Sequence, residues 1–249
     1  YAMLSAGAAI QAAQLALEGK RAFALIRPPG HHCTRDRLMG FCYFNNLAIA
    51  IESARSNFKI SRVAIFDFDC HHGNGTEAIY DGDANTLFVS LHQSPCYPGT
   101  GLKSRGNILN YPLPPGAPPE TFLETSRIAL EKIREFKPQL LGISGGFDAY
   151  KSDPITQMSL EVETFFEIGK ELFGKKDLAR EISFSKKERI DKQYYTDFKL
   201  TKQDCEDMIK KTENFIIEIK RIIKHLSQAD SIALREDLRK SLISNKKSN

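Results

Sequence analysis

An apolar stretch, Val63-Ala64-Ile65-Phe66, runs directly into Asp67-Phe68-Asp69-Cys70-His71-His72-Gly73. The apolar residues read as a buried strand. Side chains alternate along a strand, so a persisting pattern turns Asp67, Asp69 and His71 to one side. Cys70 then points the other way, as a core filler. Two carboxylates and an imidazole therefore converge at a strand end, beside a turn opened by Gly73. In a dry core these three groups would repel or stay unsatisfied. Carboxylate oxygen plus imidazole nitrogen is instead a ligand set for a divalent metal such as zinc.

The rest of the first 174 residues repeats the strand-to-polar-loop design. Ala2 to Leu17 has Ala and Leu at helical spacing, with Gly19 as a stop. Ala22 to Ile26 reads as a short strand that enters the loop Arg27-Pro28-Pro29-Gly30-His31-His32. The pattern then predicts a helix over Asn45 to Ser56 and a strand over Val63 to Phe68. A short helix over Thr76 to Tyr80 and a strand over Thr86 to Leu91 follow, and a Pro/Gly-rich loop spans Ser94 to Gly101. A helix over Pro119 to Phe136, a strand over Gln139 to Ser144 and a helix over Leu160 to Phe173 complete it. Strands alternating with helices imply an α/β fold, a mostly parallel sheet with helices on both faces. Ligands in such sheets bind beyond the C-terminal strand ends. His31 and His32, Asp69 and His71, and Asp148 each follow a different strand, which predicts one composite site.

Composition divides the chain near Gly174, at or before which every Gly and Pro lies. From Lys175 onward, 19 Lys+Arg face 13 Asp+Glu, a balance of +6, against −2 for the first 174 residues. The expected organisation is a domain over residues 1–174 and a Lys-rich helical extension over 175–249. In the extension Phe215, Ile219, Ile222 and Leu226 repeat at amphipathic helical spacing. Both charge signs interleave there, which favours a solvated face over nucleic-acid binding. No apolar run approaches the ~20 residues of a membrane span, and no basic leader resembles a secretory signal. The start at Tyr1 without Met suggests a longer parent. Five cysteines, an odd number with no CxxC pair, argue against a disulfide framework and for a reducing, cytoplasmic setting.

A catalytic zinc site keeps three protein ligands and one open position. Asp69 and His71 supply two, and Asp148, after Gly145-Gly146, is the strongest candidate for the third. Taken alone, Asp148 would equally suit a helix cap or turn. The His31-His32 pair suits proton shuttling, with Asp67 and Asn74 as partners that set ring orientation.

Six ordered motifs carry a resemblance. They are Arg27-Pro28-Pro29-Gly30-His31-His32, Gly40-Phe41-Cys42-Tyr43-Phe44-Asn45-Asn46, Asp67 through Gly75, Ser90-Leu91-His92, Tyr97-Pro98-Gly99-Thr100-Gly101 and Gly146-Phe147-Asp148-Ala149. Together they resemble the zinc-dependent histone deacetylase family over roughly residues 1 to 172, in forms similar to its class II and bacterial amidohydrolase branches. The resemblance implies an arginase/deacetylase-like fold and hydrolysis of an acetyl-lysine or related acyl amide. It implies zinc on Asp69, His71 and Asp148, His32 as general base, and His31 as its electrostatic neighbour. Asp67 would orient His31 and Asn74 would orient His32. Gly40, Phe41 and Tyr97 would line a narrow acyl tunnel. Potassium is implied at Asp67, Asp69, His71, Ser90 and Leu91, with a second potassium near Tyr80, Asp83 and Thr86. The implied partners are an acetylated lysine protein or peptide, or an acetylated small amine, in the cytoplasm or, in a eukaryote, the nucleus.

One part of the family pattern is missing. A Tyr in Glu-Gly-Gly-Tyr normally assists the reaction downstream of the third ligand, and this sequence contains no Gly-Gly-Tyr. That leaves a competing expectation, a non-catalytic module that binds zinc and acyl-lysine. A di-metal ureohydrolase shares the alternating architecture but needs more carboxylates than the motifs supply.

Overall fold

A computed structural model describes residues 1–20 and 22–173. The expected boundary at 174 and the helical extension lie outside the described residues.

Among the described residues, four strands form one wholly parallel sheet, β1 (Val63–Asp67), β2 (Thr86–Gln93), β3 (Ile108–Leu113) and β4 (Leu140–Ser144), in the order β3-β2-β1-β4. The described helices are α1 (Ala2–Leu17), α2 (Asn46–Phe58), α3 (Asn74–Tyr80), α4 (Pro119–Phe136) and α5 (Val162–Phe173). Alternation along β1 sorts the core into two layers. Val63 and Ile65 pack with Ala48, Ile51 and Ala54 of α2 and with Tyr80 of α3. Ala64 and Phe66 pack on the other face with Phe122, Leu130 and Ile133 of α4 and Phe165 and Ile168 of α5. The central strands are buried along their whole length, as expected of a parallel sheet covered on both sides.

Helix ends follow their local signals. At the end of α1, Gly19 takes φ +82, Lys20 N donates to Leu15 O, and Gly19 N donates to Ala16 O. This is a Schellman closure, and its left-handed residue favours glycine. Asn45 caps α2 by accepting from Ala48 N at 3.1 Å.

One expectation is corrected, and one strand is added. Ala22–Ile26 alternates in exposure as a strand would, but it pairs with no strand among the described residues. A period of two reports one buried face and cannot report a hydrogen-bonding partner. Conversely, β3 gave no clear signal, because Asn110 and Pro112 interrupt its apolar pattern. It survives at the edge of the sheet, where Pro costs no essential ladder bond.

Candidate active site

The C-terminal ends of β1, β2 and β4 open onto the same rim, as parallel strand ends must. Asp67 pairs in register with Ser90 on β2 and with Ser144 on β4. The β4 turn therefore delivers Asp148 to the loop that carries Asp69 and His71. Alternation outlasts the strand: Phe68 and Cys70 sit in the α4–α5 core, so Asp67 and Asp69 point away from it.

Asp69, His71 and Asp148 each present one ligand atom, and these atoms lie within 4.8 Å of one another. His71 Nδ1 is 2.7 Å from Asp148 Oδ2 and 3.1 Å from Asp69 Oδ1. Each carboxylate is also held by backbone. Cys70 N donates to Asp148 Oδ1 at 3.0 Å, and His71 N donates to Asp69 Oδ1 at 2.9 Å. Gly146 makes the approach possible, since a Cβ there would collide with the Asp69 side chain and lie 2.7 Å from its Cα. Two carboxylates this close need a positive charge between them. Burial opposes charge on His71, but the hydrogen bonds to Asp148 and Asp69 outweigh it and push its pKa up to about 11. Burial and the neighbouring Asp69 carboxylate push Asp148 up. A divalent cation would supply the same neutralisation with three oxygen and nitrogen ligands already converging, so the residues fit one.

The two adjacent histidines are tied to different partners. His31 Nδ1 is 3.0 Å from Asp67 Oδ2, and His32 Nδ1 is 2.8 Å from Asn74 Oδ1. Their ring centroids are 4.0 Å apart. Burial would lower the His31 pKa, but Asp67 and Asp69 overcome it and raise the value to about 9. For His32, burial and the charge of His31 act together and lower the value to about 4. Gly40 and Gly73 let the chain pass against His32 and Asp67, where a Cβ at either position would collide.

Phe41 and Tyr97 are both exposed. Phe41 is 86% exposed at φ +63, an uncommon conformation for an aromatic residue. The Tyr97 ring stands edge-on to His32 at 5.1 Å and to His71 at 6.3 Å. Ser90 and Leu91 are fully buried behind Asp67, and Ser90 Oγ bonds His92 Nδ1 at 3.0 Å.

The structure also assembles groups that the motif reading left without a role. His72 bonds Glu77 at 2.9 Å through Nε2 and Thr100 at 2.7 Å through Nδ1. Glu77 also receives Asn110 at 2.8 Å and Arg105 at 2.8 Å. This network, buried at His72, Glu77 and Asn110 and exposed at Thr100 and Arg105, ties the loop of Asp69 and His71 to the Tyr97 loop. Its sequence signal was faint, a single Glu in the short helix α3.

Tyr80, Asp83 and Thr86 do come together at the start of β2. Their surroundings, however, are donors: Asn107 binds the Tyr80 and Thr86 carbonyls, and Arg55 binds the Asp83 carboxylate. That corner does not fit the expected second potassium ion.

The model of the histone deacetylase domain matches residues 1–184. This chain belongs to the histone deacetylase family. Its relatives place it with the bacterial-like branch. A histone deacetylase-like amidohydrolase of Pseudomonas aeruginosa is 45% identical over 175 residues, which cover 66% of this chain and 46% of that protein. An acetylpolyamine amidohydrolase of Burkholderia pseudomallei is 38% identical over 179 residues, covering 66% of this chain and 51% of that one. The crystal structure of an acetylpolyamine aminohydrolase from Burkholderia pseudomallei superposes with a TM-score of 0.64 at 37% identity, over 68% of this chain and 52% of the other. The deacetylase-like α/β architecture expected from the motifs is thus the observed one. The chain spans about half the length of the curated relatives it matches. No helix among the described residues is long and apolar enough to cross a membrane.

Proposed function

We propose that this chain holds Zn2+ on Asp69, His71 and Asp148 and hydrolyses an acetyl amide, releasing acetate and a free amine. The substrate class is an acetylated lysine in a protein or peptide, or an acetylated small amine. The reading is supported most by the contrast between His31 and His32 beside the ligand cluster. Zinc, when bound, supplies Lewis-acid polarisation of an acyl carbonyl and acidifies water. The remaining chemistry falls to the chain's own side chains. Asn74 Oδ1 can only accept, so His32 carries its proton on Nδ1 and keeps a lone pair on Nε2. With a pKa near 4, that nitrogen is unprotonated at neutral pH and takes the proton of the attacking water. His31, paired with Asp67, stays positively charged and gives the pocket a fixed cation. A histidine of the pair then returns a proton to the leaving amine. Gly40, Phe41 and Tyr97 form the walls for the acyl-bearing stem.

A potassium ion at Asp67, Asp69, His71, Ser90 and Leu91 belongs to the same proposal. So do the division at residue 174 and a cytoplasmic or nuclear setting. The sequence has no Gly-Gly-Tyr hydroxyl to stabilise the oxyanion, and loss of one such donor lowers rates about 10²–10³-fold. Slow turnover is therefore expected of these 249 residues on their own.

The missing donor also favours a second reading, a module that binds zinc and acyl-lysine without turnover. Acetate release from an acetyl-lysine peptide and from an acetylated diamine separates the two. Chelator-sensitive release that falls about 10²–10⁴-fold in His32→Ala supports catalysis. Folded, zinc-loaded protein that binds a hydroxamate stoichiometrically yet releases no acetate sinks it and leaves the binding module.

A further inference from the structure

The start of β2 is the second place where the family resemblance implies an ion, and there the side chains occupy the position themselves. Asn107 Nδ2 donates to the Tyr80 carbonyl at 2.7 Å and to the Thr86 carbonyl at 2.8 Å. Its Oδ1 accepts from Gly82 N at 3.0 Å. Those three bonds determine which way the amide faces. Only the NH2 end can serve two carbonyls, and only the oxygen can receive an N–H. The Asp83 carbonyl is taken as well, by Thr86 N at 2.9 Å.

A cation bound by the Tyr80 and Thr86 carbonyls must touch both oxygens. The Asn107 nitrogen already stands in contact with both. Arg55 anchors the same corner. Arg55 Nη1 meets the Asp83 carboxylate at 2.9 Å, and Nη2 meets Thr86 Oγ1 at 2.6 Å and the Ser61 and Asn85 carbonyls at 3.2 Å. A guanidinium keeps its charge at any pH the fold survives. Glu52 Oε1 at 3.0 Å and Asp83 Oδ2 at 2.9 Å offset that charge, so the Asn107 contacts carry the exclusion.

We propose that the Asn107 carboxamide takes the place of the second monovalent cation in this chain, with Arg55 supplying the positive charge of that corner. Helix α2, the turn over residues 81–85, β2 and the approach to β3 are then joined by covalently attached donors rather than by an exchangeable ion. Their cohesion does not vary with potassium concentration. This holds whether or not the catalytic cluster turns over.

Rubidium or thallium can stand in for potassium as an anomalous scatterer in crystals of the whole chain. The wild type should give no anomalous peak at the Tyr80 and Thr86 carbonyls. Asn107→Ala, which strips both carbonyls of their donor, should give one. In solution, exchanging tetramethylammonium chloride for potassium chloride should raise the Tm of Asn107→Ala by about 2–4 °C more than it raises that of the wild type. Asn107→Ser provides the same comparison if the alanine variant does not fold. A heavy-ion peak between those carbonyls in the wild type, with the amide swung aside, overturns the proposal. So does a potassium response that is the same in wild type and variant.

Discussion

His31 and His32 are consecutive residues with rings 4.0 Å apart, yet their environments favour opposite charge states. The difference is the partner. A carboxylate on His31 overcomes burial and favours the cation, whereas burial of His32 prevails over the weaker pull of an amide oxygen. The positive neighbour then makes a second proton on His32 costly. An adjacent pair in a Pro-Gly loop could be flagged from sequence, but the division of labour depends on Asp67 and Asn74, 36 and 42 residues away. The same dependence on distant atoms appears at Gly146. A methyl there drives into Asp69, so Gly146→Ala should abolish stoichiometric zinc uptake while leaving the far-ultraviolet circular dichroism of the sheet intact. Unchanged zinc stoichiometry in that variant would mean that Asp69 is not a ligand.

At the scale of elements, the ligand loop is braced by α3 and β3 through Glu77. Burial would raise the Glu77 pKa, but hydrogen bonds from His72 and Asn110 and the charge of Arg105 pull it from 4.5 down to about 2. Its folded-state pKa thus lies below its unfolded one. The stability contributed by ionised Glu77 is complete above about 4.5 and disappears as pH falls through about 2. In thermal melts, the Tm gap between wild type and Glu77→Gln should therefore narrow as pH drops across that window. A gap that stays constant would show that the Glu77 charge does not brace the loop. The helices and central strands were legible in sequence because their signals are local: Asn45 at a cap, Gly19 at a stop, Val63–Asp67 as an unbroken buried run. β3 was not, because Asn110 and Pro112 suit an edge position that only the neighbouring strand creates.

Across the whole molecule, the cluster is a junction between strands distant in sequence, so metal binding should act on global stability. The buried Asp148 and half-buried Asp69 carboxylates, held near one imidazole, favour the folded chain only when a cation or proton neutralises them. Free zinc at about 100 times its Kd should add about 2.7 kcal/mol to unfolding. Asp148→Asn should remove most of that increment in a chemical denaturation series with and without metal. An equal zinc increment in wild type and Asp148→Asn would exclude Asp148 from the site.

The sequence by itself determined the parallel α/β class and the family. Each of these rests on residues close together along the chain, where periodicity and spacing carry the information. Only the tertiary structure decided which distant groups meet. Asp148 reaches His71 because β4 pairs with β1 rather than with the far edge at β3. Asn107 and Arg55 fill a corner that the Tyr80 to Thr86 segment alone would offer to an ion. Strand order and side-chain occupancy are set by packing among elements, and no stretch of the chain encodes them alone.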